Sequence, residues 1–237
     1  MENKYNFMNN FYTEQKNIRN EYECVIYLLR HGESVGNLNK VVLGHTNLSL
    51  TEKGKEQALL SADYLRNIEF DAIYSSDLDR AYSTALPNSL YHGLGIVKDA
   101  RFRELGFGDW ENRPVVELID EYGDMFWKEW RGDFGRFIPP NGEAVVDAAK
   151  RVVDAVMEIA RRHAGGAVLV ASHAAVIRGA WAWVLGLDPS EWAEKVDFPT
   201  NASFSILGYR EGKLYPIVYS VDEHLGDIKT GVPKSIN

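Results

Sequence analysis

The chain has 237 residues, of which 45% are hydrophobic and 25% are charged, an ordinary balance for a globular protein. Its formal net charge of -8 argues against a nucleic-acid partner and against binding to an anionic membrane, so an anion site would need a local cluster of positive side chains. The single cysteine, Cys24, excludes an internal disulfide and favours a cytoplasmic location.

Residues 1–22 are rich in asparagine and charged residues and lack the apolar segment of a secretory signal. We interpret them as an N-terminal extension that is either disordered or helical. No later run is long and apolar enough to cross a bilayer. Residues 23–237 are predicted to form a single domain, in which a segment from about residue 101 to 138 forms an irregular helical cap.

The first half of this domain alternates predicted strands and helices. Residues 25–29 have the length and apolar character of a strand buried on both faces. Thr51 is a suitable N-cap for the helix that follows it. Residues 70–76 predict a short strand that leads into another helix, and residues 94–99 predict a further strand.

The second half continues the alternation. Apolar residues at helical spacing predict a long helix that starts near Val145 and is ended by Gly165. Residues 167–173 predict a second buried strand followed by a mostly apolar helix, and residues 203–219 predict two strands joined by a turn. This order predicts an α/β fold, a three-layer sandwich with a mainly parallel central sheet, helices on both faces and the helical cap.

Positive and imidazole side chains follow three of the predicted strands. Arg30 and His31 come directly after the first buried strand, His173 follows the second, and Arg80 lies in the first turn of a helix, where free N–H groups favour anions. Ligands of open α/β sheets collect at the carboxyl ends of the strands, and arginine binds phosphate oxygens in pairs. One strand-end histidine is usually structural, but two imidazoles and two guanidiniums at equivalent positions predict an anion site.

Seven short blocks of the sequence form a series. They are LLRHGESVGN (28–37), LSLTEKG (48–54), YSSDLDRAYSTA (74–85), RELGFGDWEN (103–112), PPNGEA (139–144), ASHAAVIR (171–178) and NAS (201–203). In this order they resemble the histidine phosphatase superfamily, which also contains the cofactor-dependent phosphoglycerate mutases. The resemblance covers nearly everything from Cys24 to about Asp227.

The resemblance implies that His31 is the nucleophile and forms a phosphohistidine. A histidine attacks phosphorus only through an unprotonated nitrogen; Arg30, Arg80 and His173 disfavour the imidazolium and would hold the phosphoryl oxygens. Glu104 matches the acid of the family, which protonates the leaving alcohol and then activates water. These five residues form the expected catalytic set.

Further contacts to the phosphate are expected from Asn37 and from the backbone N–H groups of Gly44 and Ala174. Two positions depart from the pattern of the family. Leu43 stands where a polar residue is common, and Ala174 with Ala175 stands where two glycines are common, which narrows the space near the phosphate. Because of these two departures, the resemblance does not identify which phosphate ester is the substrate.

Three functions are compatible with such a site. A phosphatase transfers the phosphoryl group to water, whereas a mutase has to exclude water. The mutases resemble one another in a Glu-Arg-x-Tyr-Gly block and a long basic insertion, but here Glu104 is followed by LGFGDWEN and a compact acidic segment. Hydrolysis is therefore favoured, with mutase-type phosphoryl transfer as the alternative. A non-catalytic module that binds phosphorylated ligands is disfavoured, because His31 and Glu104 are both present.

Within the phosphatases, the blocks RELGFGDWEN and PPNGEA are similar to those of the alpha-ribazole phosphatases, which points to alpha-ribazole 5'-phosphate as a substrate. Broad-specificity members share much of this pattern, so the expected partner is a small phosphorylated metabolite. We predict no cofactor and no metal, since adjacent arginines would repel a cation. A homodimer is left open.

Overall fold

The computed structural model of the protein describes residues 15–231. Of the predicted extension, residues 1–14 lie outside this range, and residues 15–21 are helical. Ile18 of this helix is fully buried in a hydrophobic core, so this part of the extension packs onto the rest of the chain. Residues 232–237 of the predicted domain also lie outside the described range.

Within residues 15–231, eight strands make up two sheets. The strands are β1 (Cys24–Arg30), β2 (Val41–Val42), β3 (Ala72–Ser75), β4 (Ile96–Lys98), β5 (Arg113–Pro114), β6 (Ala167–Ser172), β7 (Phe204–Arg210) and β8 (Lys213–Val221). The main sheet has the order β4-β3-β6-β1-β7-β8, and β2 pairs with β5 in a second, small sheet. Strands β4, β3, β6 and β1 pair in parallel, whereas β7 is antiparallel to both of its neighbours.

The helices alternate with the strands as predicted. They are α1 (15–21), α2 (Val35–Leu38), α3 (Glu52–Leu65), α4 (Asp79–His92), α5 (Val115–Asp124), α6 (Val145–Arg162), α7 (Ala174–Val184) and α8 (Trp192–Lys195). Thr51 caps α3, because its hydroxyl accepts a hydrogen bond from the N–H of Gly54 at 3.0 Å. Helix α6 begins at Val145, the first residue of the predicted apolar stripe, and Gly165 turns the chain after it with a φ of 88°.

Two hydrophobic cores lie on opposite faces of the main sheet, because side chains alternate along a strand. Ile26 and Leu28 of β1 face the core that contains the apolar faces of α6 and α7. Tyr27 and Leu29 face the other core, with residues of α3 and α4. The protein is therefore an α/β three-layer sandwich with a mainly parallel central sheet, and this prediction is confirmed.

The predicted cap contains short 3-10 turns, β5, α5 and a π-helical segment over Met125–Arg131. Its aromatic side chains pack on one another: the ring centroids of Trp110 and Phe137 are 5.0 Å apart, and those of Trp130 and Phe134 are 5.2 Å apart. Trp110 and Phe134 are fully buried and belong to the same core as α6 and α7. The cap is therefore joined to the sheet through a continuous core.

Gly54 lies in close backbone contact with Gly32 and Glu33, and this contact predicts an effect on stability. A Cβ atom on Gly54 would lie 2.0 Å from the carbonyl oxygen of Glu33, so Gly54→Ala should lower the free energy of unfolding by about 1–3 kcal/mol through overpacking. Helix propensity alone would predict the opposite sign, a gain of about 1 kcal/mol. Urea denaturation measures the change. Gly95→Ala is the control, since a Cβ there meets none of the described atoms within 4 Å. Unchanged stability for Gly54→Ala would contradict the contact.

Candidate active site

The ends of two parallel strands, β1 and β6, bring the predicted histidines together. Arg30 at the end of β1 is opposite Ser172 at the end of β6, and the N–H of His31 donates to the carbonyl of Ser172 at 3.0 Å. His31 and His173 are the residues that directly follow these two strands. Their ring centroids are 5.1 Å apart, and both side chains are buried. The parallel register therefore positions both imidazoles.

The tautomer of His31 follows from a backbone contact. Its Nδ1 lies 2.7 Å from the carbonyl oxygen of Gly32, and a carbonyl only accepts, so Nδ1 carries the hydrogen. Nε2 is then left with a free lone pair. Burial, together with the charges of Arg80 and Arg30, holds the pKa of His31 well below its ordinary value. His31 is thus a neutral imidazole with Nε2 ready for nucleophilic attack.

Ser76 forms the hydrogen bond that orients the ring of His173. Its Nε2 lies 2.8 Å from the hydroxyl oxygen of Ser76, which already accepts the N–H of Leu78 at 3.3 Å. The hydroxyl can donate its own hydrogen to Nε2, and we assign the bond in this direction, which puts the hydrogen of the imidazole on Nδ1. Burial and the charge of Arg80 lower the pKa of His173 well below its ordinary value. His173 presents a neutral N–H donor.

Loop carbonyls hold the two arginines. The Nη groups of Arg80 donate to the carbonyls of Gly44 at 2.8 Å and Thr46 at 2.9 Å, and Nη1 of Arg30 donates to the carbonyl of Pro199. Burial is the main cause that lowers the pKa of each guanidinium, to about 10. Both therefore remain cations at neutral pH.

Three buried N–H donors beside His31 lack a hydrogen-bond partner within residues 15–231. They are Nε of Arg30, Nε of Arg80 and Nδ1 of His173. Buried polar groups in folded proteins are nearly always bonded, so unpaired donors beside a neutral imidazole call for an acceptor. A tetrahedral oxyanion supplies several acceptor oxygens and a charge that the two guanidiniums would stabilise.

The carboxylate of Glu104 lies at the N-terminus of α7. It accepts hydrogen bonds from the N–H groups of Leu105 at 2.9 Å, Ala175 at 3.2 Å and Val176 at 3.3 Å. His173 is the N-cap of this helix, so the carboxylate is anchored within the first turn after the second imidazole. Its charge also acts on both Arg30 and Arg80. Glu104 is therefore close to the group of donors described above.

The remaining predicted residues border the same region. Oδ1 of Asn37 accepts from Ser34 and, at 3.3 Å, from Nδ2 of Asn201, which also donates to the carbonyl of His31. The amide nitrogen of Asn37 is therefore the group that can donate to a ligand. Gly44 is buried, and its carbonyl binds Arg80. Ala174 is the first residue of α7.

Three positioning residues were not in the predicted set. Ser76 fixes His173, Asn201 holds the backbone of His31, and the hydroxyl of Thr84 accepts the N–H of Gly32 at 3.0 Å. Each lies in one of the sequence blocks, YSSDLDRAYSTA or NAS, so their location was available from the sequence. Their partners were not, because each contact depends on how distant segments meet.

Within residues 15–231, no group of three or more His, Cys, Asp or Glu side chains is arranged to hold a metal ion. In that same range, helices with the length and apolarity needed to span a membrane do not occur.

The buried imidazoles predict a loss of stability at acid pH. In the unfolded chain each histidine titrates near pH 6.5, whereas His31 and His173 resist protonation when folded. Below about pH 6.5 the unfolded chain therefore binds more protons than the folded chain. The free energy of unfolding keeps its full value above that pH and falls below it.

Each histidine adds a slope of up to about 1.4 kcal/mol per pH unit. Urea denaturation at a series of pH values from about 7.5 to 5 measures the slope. The variant with His31→Asn and His173→Asn should show a shallower dependence than the wild type, and an equal slope would contradict the expectation.

Sequence comparisons identify relatives over most of the chain. A family model described as the histidine phosphatase superfamily (branch 1) matches residues 26–221. Phosphoserine phosphatase 1 of Hydrogenobacter thermophilus is 31% identical over 212 residues, which are 89% of this chain and 99% of that protein. The probable phosphoglycerate mutase GpmB of Yersinia pestis is 35% identical over 186 residues, which are 78% of this chain and 85% of that protein.

Solved structures share the fold. A mycobacterial glucosyl-3-phosphoglycerate phosphatase superposes with a TM-score of 0.78 at 28% identity and covers 84% of this chain and 99% of its own. The alpha-ribazole phosphatase from Shigella flexneri superposes with a TM-score of 0.71 at 26% identity and covers 83% of this chain and 96% of its own. The similarity therefore extends over most of each protein.

Proposed function

The chain belongs to the histidine phosphatase superfamily and is a phosphatase, and we propose that it hydrolyses small phosphate monoesters through a phosphohistidine on His31. One observation carries this proposal: a neutral His31 lies beside three buried donors that lack partners, on Arg30, Arg80 and His173, among the described residues. Such a site can bind a phosphoryl group and attack it.

In the first half-reaction, Nε2 of His31 forms a bond to phosphorus as the bond from phosphorus to the ester oxygen breaks. The charge on the equatorial oxygens is stabilised by Arg30, Arg80 and the Nδ1 hydrogen of His173. The leaving alcohol takes a proton from the carboxyl of Glu104, which gains that proton as the negatively charged ester binds beside it. The products of this step are the free alcohol and a phosphohistidine.

In the second half-reaction, water attacks the phosphohistidine. Glu104, now a carboxylate, takes a proton from the water as its oxygen bonds to phosphorus, and the bond between Nε2 and phosphorus breaks. Inorganic phosphate and neutral His31 are released. The low pKa of His31 favours this outcome, because the departing imidazole is the stable state in the buried site.

The substrate that we propose is a small phosphorylated metabolite. The phosphatases similar to this chain are named for phosphoserine, glucosyl-3-phosphoglycerate and alpha-ribazole, which are small metabolites. Alpha-ribazole 5'-phosphate, suggested by the cap sequence, is one member of the panel to be tested. Phosphoglycerate mutase activity is the second candidate, since one relative is named as a probable mutase.

A hydrolysis screen tests the proposal. The protein is incubated with para-nitrophenyl phosphate, phosphoserine, phosphorylated sugars, phosphoglycerates, nucleoside monophosphates and alpha-ribazole 5'-phosphate, with and without a chelator of divalent ions. We expect release of inorganic phosphate in both conditions, and little conversion of 3-phosphoglycerate to its 2-isomer. Absence of phosphate release from every ester would overturn the proposal, and dominant isomerisation would replace hydrolysis with mutase activity.

A further inference from the structure

One carboxylate oxygen joins two parts of the chain that border the site. Oε1 of Glu111 accepts the N–H of His45 at 3.0 Å and the N–H of Phe107 at 2.9 Å. Phe107 is in the cap, whereas His45 is in the loop of residues 43–46, which we call the arginine loop. Glu111 also packs on this loop: a Cβ atom on Gly44 would lie 2.1 Å from Oε1. The carboxylate therefore fills the space beside Gly44, whose φ is 49°.

The arginine loop is the part of the chain that holds Arg80. The two residues on either side of His45, Gly44 and Thr46, supply the carbonyls to which the Nη groups of Arg80 donate. With both Nη groups engaged, Nε is the donor that lacks a partner in the described range. The orientation of the guanidinium, and hence of Nε, thus depends on the conformation of the loop.

The same loop also touches the segment that carries the predicted acid. Nε2 of His45 lies 3.0 Å from the carbonyl oxygen of Glu104 and donates to it. The backbone N–H of His45 therefore bonds the carboxylate of Glu111, and its imidazole bonds the backbone carbonyl of Glu104. The arginine loop is therefore held by Glu111 through the backbone of His45 and, separately, by the carbonyl of Glu104 through the imidazole of His45.

The negative charge of Glu111 also favours the charged form of Arg80. Burial lowers the pKa of Arg80, and the negative charges of Glu104 and Glu111 oppose that effect. The pKa nevertheless stays at about 10, so the guanidinium keeps its charge at neutral pH with a margin. Loss of the Glu111 charge alone should therefore matter less than loss of its hydrogen bonds.

We propose that Glu111 is a positioning residue for phosphoryl transfer, which fixes the arginine loop so that Nε of Arg80 points at the phosphoryl oxygens. This inference rests on the proposed function, since it assigns a role to Glu111 through Arg80. Glu111 itself acts at a distance through His45 and Gly44.

Substitutions of Glu111 separate its hydrogen bonds from its charge. Glu111→Ala removes the acceptor and should lower kcat/KM for para-nitrophenyl phosphate by about 30- to 100-fold, as expected for a misplaced catalytic group. Glu111→Gln keeps one oxygen that can accept both N–H groups and should stay within about threefold of the wild type. If Glu111→Ala does not fold, Glu111→Asp, whose shorter side chain cannot bridge both amides, takes its place. Glu121→Ala, which removes an exposed carboxylate paired with Arg113, is the matched control.

A double-mutant cycle with Arg80→Ala gives the decisive readout, because residues that act through one another are not additive. We expect Glu111→Ala to cost less than about threefold in the Arg80→Ala background, and affinity for inorganic phosphate to follow the same pattern. Equal losses in both backgrounds would overturn the inference, and so would a Glu111→Gln variant as impaired as Glu111→Ala. A wild-type protein that neither hydrolyses esters nor binds phosphate would instead overturn the proposed function.

Discussion

His31→Ala is expected to lower the turnover of para-nitrophenyl phosphate by on the order of 10⁵-fold, because it removes the atom that bonds to phosphorus. The surrounding donors remain, so the variant should still bind inorganic phosphate. The difference between lost turnover and retained binding distinguishes a nucleophile from a residue that only maintains the fold.

Steady-state kinetics and mass spectrometry measure this prediction. Wild-type protein mixed with substrate and quenched in alkali should gain one phosphoryl group, since phosphohistidine survives alkali, and the variant should gain none. His163→Ala is the control, because it removes a half-buried imidazole that bonds Tyr74. A His31→Ala protein with substantial activity, or a phosphoryl group on another residue, would rule out the proposed intermediate.

Glu104→Gln is expected to have an effect that depends on the leaving group. An alkyl alcohol needs a proton to depart, so release of an alcohol from an alkyl phosphate should slow by about 10³-fold. Nitrophenolate is a stable anion and leaves without a proton, so its release in the first half-reaction should slow by less than about tenfold. Water attack still lacks its base, and the phosphohistidine should accumulate.

Rapid mixing tests this pattern directly. With para-nitrophenyl phosphate, the variant should release about one equivalent of nitrophenolate per enzyme in a burst and then turn over slowly. Glu143→Gln is a suitable control, since the carboxylate of Glu143 bonds Arg151 and lies outside the predicted catalytic set. Equal losses for alkyl and aryl esters, with no burst, would show that Glu104 is not the proton donor.

The sequence predicted the sheet and the main polar residues because both follow from local patterns. Uninterrupted apolar runs such as residues 167–171 are typical of strands buried on both faces, and the polar residues that follow each run are then expected at the end of the strand. The placement of His31 near His173 then follows from parallel pairing. The catalytic roles of these residues remain predictions, as does the division of the chain at residue 22.

The contacts that fix the tautomer or the orientation of each side chain in the site could not be predicted from the sequence. The tautomer of His173 depends on Ser76, which belongs to a different strand end, and the support of Arg80 depends on Glu111 and the arginine loop. These contacts join segments far apart in the chain, and no periodicity encodes them. They become predictable only when the loop conformations, such as the φ of 49° at Gly44, are known.

The strand order has a consequence for how the protein acquires activity. Strands β1 and β6 are neighbours in the sheet, although α3, α4, the cap and α6 all lie between them in the chain. Pairing of this kind closes a very long loop and is slow, so we expect it to form late in folding. Catalysis should therefore return only with the complete sheet during refolding, and the rate at which turnover recovers reports the last long-range step of the folding pathway.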